Sequence, residues 1–124
     1  VQSVLEGVAF ALSDAQSRLH AAGTHCDLPG VIGGGARSRY WIQLIANIMG
    51  TPLARYEGAT KGPAFGAARL GRLALTKEAV EDVCQKPAID EVIEPDMAHY
   101  STYQPRFAKF KRIYSALREE FTPT

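Results

Sequence analysis

Three consecutive glycines followed by an arginine and a serine, Gly33-Gly34-Gly35-Ala36-Arg37-Ser38, make up the segment whose residue types and spacing best suit chemistry. A run without Cβ atoms lets the backbone turn sharply and lets a ligand lie against it. Gly30-Val31-Ile32 just ahead reads as a short strand, and Ser38 reads as the N-cap of a helix. A helix that starts there directs free backbone N–H groups, and the positive end of its dipole, at the loop. Arg37 adds a cation suited to a phosphate oxygen, and Ser38 adds a hydroxyl. These features describe a nucleotide-contacting loop, although a plain tight turn is the commoner use of such a sequence. It is not a Walker A loop, because no Gly-Lys-Ser/Thr follows, and its later glycines depart from the dinucleotide-binding spacing.

Other reactive residue types are sparse. Cys26 and Cys84 are the two cysteines and read as reduced thiols. His25-Cys26 is a close pair of possible metal ligands without a matching second pair, so a zinc site is not expected. Asp82, Asp90, Glu91, Glu94 and Asp96 fall in a late polar stretch and read as a solvated surface. No residue is nominated as catalytic.

The elements that must position the glycine loop follow from periodicity. Val1, Val4, Leu5, Val8, Leu12, Ala15 and Leu19 recur at helical spacing and predict one apolar stripe on a helix ending near Gly23. After the loop, Trp41, Leu44, Ile45 and Ile48 line a second helix that stops at Gly50. Thr51 to Tyr56 predicts a second strand. The loop Glu57 to Gly62 follows, and Pro63 opens a third helix rich in small residues. A short helix is expected within Lys77 to Cys84, and Ile89 to Pro95 reads as extended or irregular. A last helix is expected from about Pro105, with Phe107, Phe110, Tyr114, Leu117 and Phe121 as its apolar seam.

Alternating helices and strands predict an α/β chain with a mainly parallel sheet and flanking helices, treated as one unit over residues 1–124. Two strands are too few for a stable sheet, so further strands are expected from outside these residues. The opening at Val1, already in a helical pattern, agrees with a piece of something longer. Hydrophobic residues at 46% and charged residues at 22% describe an ordinary globular protein. A net charge of +1 gives no footprint for a nucleic-acid or anionic-membrane partner. No apolar run reaches the roughly 20 residues of a membrane span, and no signal-peptide pattern is visible, so a cytoplasmic location is expected.

Four stretches together resemble the FGGY family of carbohydrate kinases. They are Val4-Leu5-Glu6-Gly7-Val8-Ala9-Phe10-Ala11-Leu12, the run from Ile32 to Trp41, Gly62-Pro63-Ala64-Phe65-Gly66-Ala67-Ala68, and Tyr103-Gln104-Pro105-Arg106 ahead of an aromatic helix. Their order and spacing over nearly the whole chain are most similar to the branch that phosphorylates xylulose. The resemblance implies an actin-like, ribonuclease-H-like ATPase fold, of which this chain would be the C-terminal, adenosine-binding part of the second domain. It implies ATP as phosphoryl donor, with Mg2+ held mostly by residues elsewhere. On this reading Gly34 and Gly35 lie against the adenosine and α-phosphate, Gly33 belongs to the same ATP-binding stretch, and Ser38 with Arg37 stands at the adenine edge. Gly62 and the helix around Gly66 border the cleft, or else simply allow close helix packing. Asn47 stands where relatives often carry Asp and reads as structural. The catalytic Asp and the sugar pocket would lie ahead of Val1. The piece is then expected to be inactive alone and to self-associate along the edge near Val31 or through the faces bearing Leu5 and Leu12. Two other readings stay open: a non-catalytic nucleotide-binding or interaction module, and a sibling kinase for ribulose, glycerol or gluconate.

Overall fold

A computed structural model describes residues 1–121. The chain runs through α1 (Gln2–Ala21), β1 (Gly30–Val31), a 3-10 turn at Gly34–Arg37, α2 (Arg39–Met49), β2 (Leu53–Tyr56), a second 3-10 turn at Ala59–Lys61, α3 (Pro63–Leu75), the single turn α4 (Val80–Val83), β3 (Ile89–Ile93) and α5 (Met97–Leu117). The helix–strand order expected from periodicity is present through α4, which lies within the short helix expected at Lys77 to Cys84.

The strands form one sheet in the order β1-β2-β3, with β1 parallel to β2 and β3 antiparallel to it. The stretch expected to be extended or irregular is thus a third strand, and the small sheet is mixed. Its pairing is marked by charge. Arg55 lies directly opposite Glu91 in the β2–β3 register. The Arg55 guanidinium bridges Asp90 at 2.8 Å and Glu91 at 3.0 Å, while Arg39 at the start of α2 reaches Glu91 at 2.8 Å. Opposite charges across a strand pair favour that register. These two acidic residues therefore sit at the surface, as expected, but inside ion pairs.

The core lies between α2 and the sheet. Ile42, Ile48, Leu53 and Ile93 are almost completely buried. Gly50 ends α2 with φ +65°, and a Cβ there would come within 2.6 Å of the Tyr100 ring. Both the left-handed turn and the aromatic neighbour require glycine.

Asn47 is buried on α2, and its Oδ1 accepts from Gln43 Nε2 at 3.0 Å and from the Asp96 backbone N–H at 2.8 Å. It ties α2 to the junction before α5, which is the structural role expected for it.

The last helix begins eight residues earlier than the proline suggested, at Met97 rather than Pro105. Asp96 is the reason. Its carboxylate accepts from the backbone N–H groups of Ala98 and His99 and so caps the first turn. Those bonds, the His99 backbone contribution first, hold the Asp96 carboxyl below its usual range. Pro105 sits inside the helix, where its ring leaves the Ser101 carbonyl without the usual partner.

Helix α1 departs most from its periodicity. The face it buries carries Glu6, Ala9, Phe10 and Ser13. Phe10 packs among Tyr103, Phe107 and Phe110 of α5, at ring-centre distances of 6.2, 5.9 and 5.6 Å. Beside them the nearly buried Glu6 carboxylate receives Arg106 Nη2 at 2.6 Å and Gln2 Nε2 at 3.0 Å. Burial, aided by the Glu6 charge, raises the Tyr103 phenol above its ordinary value. The predicted apolar stripe faces the other way. Val4 is 68% exposed, Val8 48%, Leu12 43% and Leu19 55%.

Leu12 and Leu19 line one wall of an open trough of about 550 Å³, and Val31, Ile32, Trp41 and Ile45 line the facing wall. The trough runs beside the edge of β1 that pairs with no strand among the described residues. Similarly, α3 buries none of its residues, and a Cβ on Gly66 would meet nothing within 4 Å. Close packing at Gly66 therefore has no partner here. The C-terminal seam is half covered, with Phe107 buried and Tyr114, Leu117 and Phe121 exposed.

Candidate nucleotide-contacting site

The site is built from two turns that lie against each other. Beyond β1 the chain enters Gly33 at φ +87°, a conformation open to glycine at little cost. Gly33 N–H donates to the Ala59 carbonyl of the second turn at 2.8 Å. A Cβ on Gly62, at the far end of that second turn, would come 3.5 Å from the Gly33 Cα. The glycine-rich loop and the 58–62 loop thus form one double-stranded rim. Leu53–Tyr56 carries the second loop into place, and the parallel β1–β2 pair brings the two together.

The three glycines have different reasons to be glycine. At Gly33 the backbone angle requires it. At Gly35 an added Cβ would meet the Trp41 ring at 3.3 Å. At Gly34 there is neither a positive φ nor any atom within 4 Å of an added Cβ. Nothing in the chain itself therefore demands glycine at Gly34, and the space above it is open to a ligand.

Ser38 is extended, at φ −98° and ψ 99°, and its Oγ accepts from Trp41 N–H at 3.2 Å. Its oxygen caps α2, as the sequence implied, and its hydroxyl proton remains free to donate. Arg37 is exposed at the end of the first turn and forms no ion pair among the described residues. The free N–H groups at the start of α2 add positive potential to the same rim.

Reading the sequence missed two cations beside the second loop, one in the loop and one on α3. Lys61 Nζ lies 5.1 Å from the centre of the Phe65 ring, and the Arg69 guanidinium lies 4.3 Å from the same ring. Phe65 thus gathers two positive charges on the flank of the Gly62 turn. The signal available was the lysine between Gly58 and Gly62, which reads from sequence only as part of a loop.

The rim suits a polyanion whose chain passes over Gly34: backbone N–H groups, one hydroxyl and exposed cations surround a surface without side chains. The larger trough behind it is almost wholly apolar and follows a strand edge, so it matches a packing segment better than a charged ligand. Among the described residues no group of three or more His, Cys, Asp or Glu side chains could hold a metal ion, and no helix is long and apolar enough to cross a membrane.

Comparisons with known proteins identify the family. The chain is 42% identical over 118 residues to a xylulose kinase of Escherichia coli (strain K12), covering 94% of this chain and 24% of that protein. It is 39% identical over 118 residues to a xylulose kinase of Klebsiella pneumoniae, with the same coverage. The crystal structure of a xyloylose kinase from Brucella ovis superposes with a TM-score of 0.77 at 41% identity, covering 95% of this chain and 24% of that one. The chain therefore spans about a quarter of the length of the relatives it matches. Its helices and small sheet correspond to part of an actin-like, ribonuclease-H-like ATPase domain. The family model described as the FGGY family of carbohydrate kinases, C-terminal domain, matches residues 1–75, and with those residues holding both loops of the rim, this chain belongs to the FGGY family of carbohydrate kinases.

Proposed function

We propose that residues 1–124 form the adenosine-binding, C-terminal part of the second domain of an ATP-dependent kinase that phosphorylates a pentulose, D-xylulose first among the candidates. Xylulose kinases among the relatives support that choice of sugar. The observation that carries the nucleotide assignment is the open surface at Gly34, unexplained by any contact within the chain and framed by two interlocked glycine turns. In this reading Gly33, Gly34 and Gly35 receive the adenosine and α-phosphate, while Arg37 and the Ser38 hydroxyl stand at the adenine edge. Lys61 adds positive potential at the rim.

The reaction moves the γ-phosphoryl group of ATP to a sugar hydroxyl. It requires a base at that hydroxyl, magnesium to neutralise developing charge, and donors on the β- and γ-phosphates. We assign the base, the magnesium ligands and the sugar pocket to residues outside this chain, so these 124 residues are inactive alone. The sugar is then bound mainly by the other domain. A cytoplasmic location belongs to the same proposal, as for a metabolic kinase that draws on ATP.

Gly34→Val in the intact kinase tests the assignment cleanly. The backbone there accepts a side chain and the protein offers nothing for it to strike, so the variant folds. The KM for ATP should rise ~10-fold or more while the KM for sugar changes little, the effect of forcing a side chain into ligand space. Unchanged ATP kinetics would remove Gly34 from the site.

A further inference from the structure

A second hollow, of about 380 Å³, opens between α1 and α5 above the end of α2, away from the glycine turns. Ser13, Gln16 and His20 enter it from α1, and Tyr100, Gln104 and Lys111 enter it from α5. Each set follows helical spacing, so each is one face of its helix. Helix faces that oppose a neighbour are ordinarily apolar. These two are polar, and they exchange no hydrogen bond with each other among the described residues; the polar link between the helices is the Arg106–Glu6 pair, outside the hollow.

The floor is the buried ring of Phe107. Lys111 sits at the rim with Nζ 4.6 Å from the centre of that ring, forming no ion pair among the described residues. No lining residue is acidic. Gln16 Nε2 already donates to Thr51 Oγ1 at 3.0 Å, which fixes that amide and leaves its carbonyl oxygen as an acceptor.

A walled space of this size, with hydroxyls, amides, an imidazole and one cation converging over an aromatic floor, has the chemistry of a sugar-sized site. We propose that it binds a small polyhydroxylated anion, a sugar phosphate or a sugar acid. Lys111 takes the anionic group, the amides and hydroxyls of Gln104, Gln16 and Ser13 take the polyol, and the Phe107 ring takes its less polar face. The site is separate from the nucleotide rim, and a ligand there would bridge α1 and α5.

Calorimetric titration of the full chain with ribose 5-phosphate, ribonate, ribitol and inorganic phosphate tests this. At least one of the two sugar anions should bind saturably in the sub-millimolar range, and the tighter of them identifies the anionic group. Ribitol and inorganic phosphate should each bind much more weakly. Lys111→Gln should weaken the sugar anion ~10-fold, the loss of one charge-assisted contact, and Gln104→Ala should weaken it several-fold. Gly34→Val should leave it unchanged. The proposal is overturned if neither sugar anion binds, if inorganic phosphate or ribitol binds as tightly, or if Lys111→Gln binds like the parent.

Discussion

The two sides of the β1–β2 pair are built to different standards of closure. On the β2 side, β3 continues the sheet, α2 covers it, and α5 is locked on by the Asp96 cap and the Asn47 bonds. On the β1 side the strand edge pairs with no strand among the described residues, the main apolar stripe of α1 faces an open trough, and α3 buries none of its residues. Both sides contain aliphatic residues at regular spacing. What separates them is whether the partner surface lies within these residues. A stripe of apolar side chains predicts that something packs on it, and does not say whether the packing element belongs to the same stretch of chain.

Truncation should separate the two sides most sharply. Ile48→Ala, in the closed core, should cost ~3–4 kcal/mol. Leu12→Ala, on the trough wall, should cost less than ~1 kcal/mol, because that side chain keeps much of its exposure. Denaturant unfolding of both variants measures the difference, and equal losses would mean that the trough is closed in solution.

Glu6→Gln probes the joint between the sides, since Glu6 belongs to α1 while its partner Arg106 belongs to α5. Replacing the nearly buried carboxylate should cost ~1–3 kcal/mol, the range for breaking a hydrogen bond to a charged group. A proteolysis assay that shows α1 released ahead of the rest would place the loss at that joint. No change in stability would mean that Phe10 and its aromatic neighbours hold α1 unaided.

Exposed apolar area of this extent is uncommon in monomers, and an unpaired strand edge adds to it. The chain alone is expected to self-associate through the β1 edge and the trough, with two-fold pairing the simplest outcome. Leu12→Lys should shift the sedimentation profile toward monomer. A parent chain that stays monomeric at high concentration would defeat the idea.

The smallest effect belongs to Asp96. Its folded carboxyl titrates below its ordinary value, so its contribution is complete above that value and is lost as pH falls through the lower, folded one. The melting temperature of Asp96→Ala should lie below the parent at neutral pH, and the gap should close under strongly acidic conditions. A gap independent of pH would assign the effect to packing instead of capping.

Local signals carried much of the fold. Ser38 and Gly50 bound α2 as their types imply, and Pro63 opens α3. The glycine loop was legible because its residue types are unusual together, and the family resemblance rested on its order relative to the other motifs. Three things were not legible for physical reasons. Ile89 to Ile93 carries two acidic residues and no alternating pattern, so its identity as a strand comes from β2 and from Arg55 across the register. The true start of α5 is set by Asp96, a residue whose charge alone suggested surface. The buried face of α1 centres on Glu6, which periodicity could not select because its partner lies 100 residues away.

Trp41 is the single tryptophan, and its ring lies 3.3 Å from where a Cβ on Gly35 would stand, while its other contacts line the trough. The chain therefore carries one indole, selectively excitable ahead of its five tyrosines, seated between its two open surfaces. Its emission should respond to a ligand over the glycine loop from one side and to a packing partner from the other. In the Leu12→Lys background, where the second influence is weakened, the same indole becomes a label-free optical gauge of nucleotide occupancy.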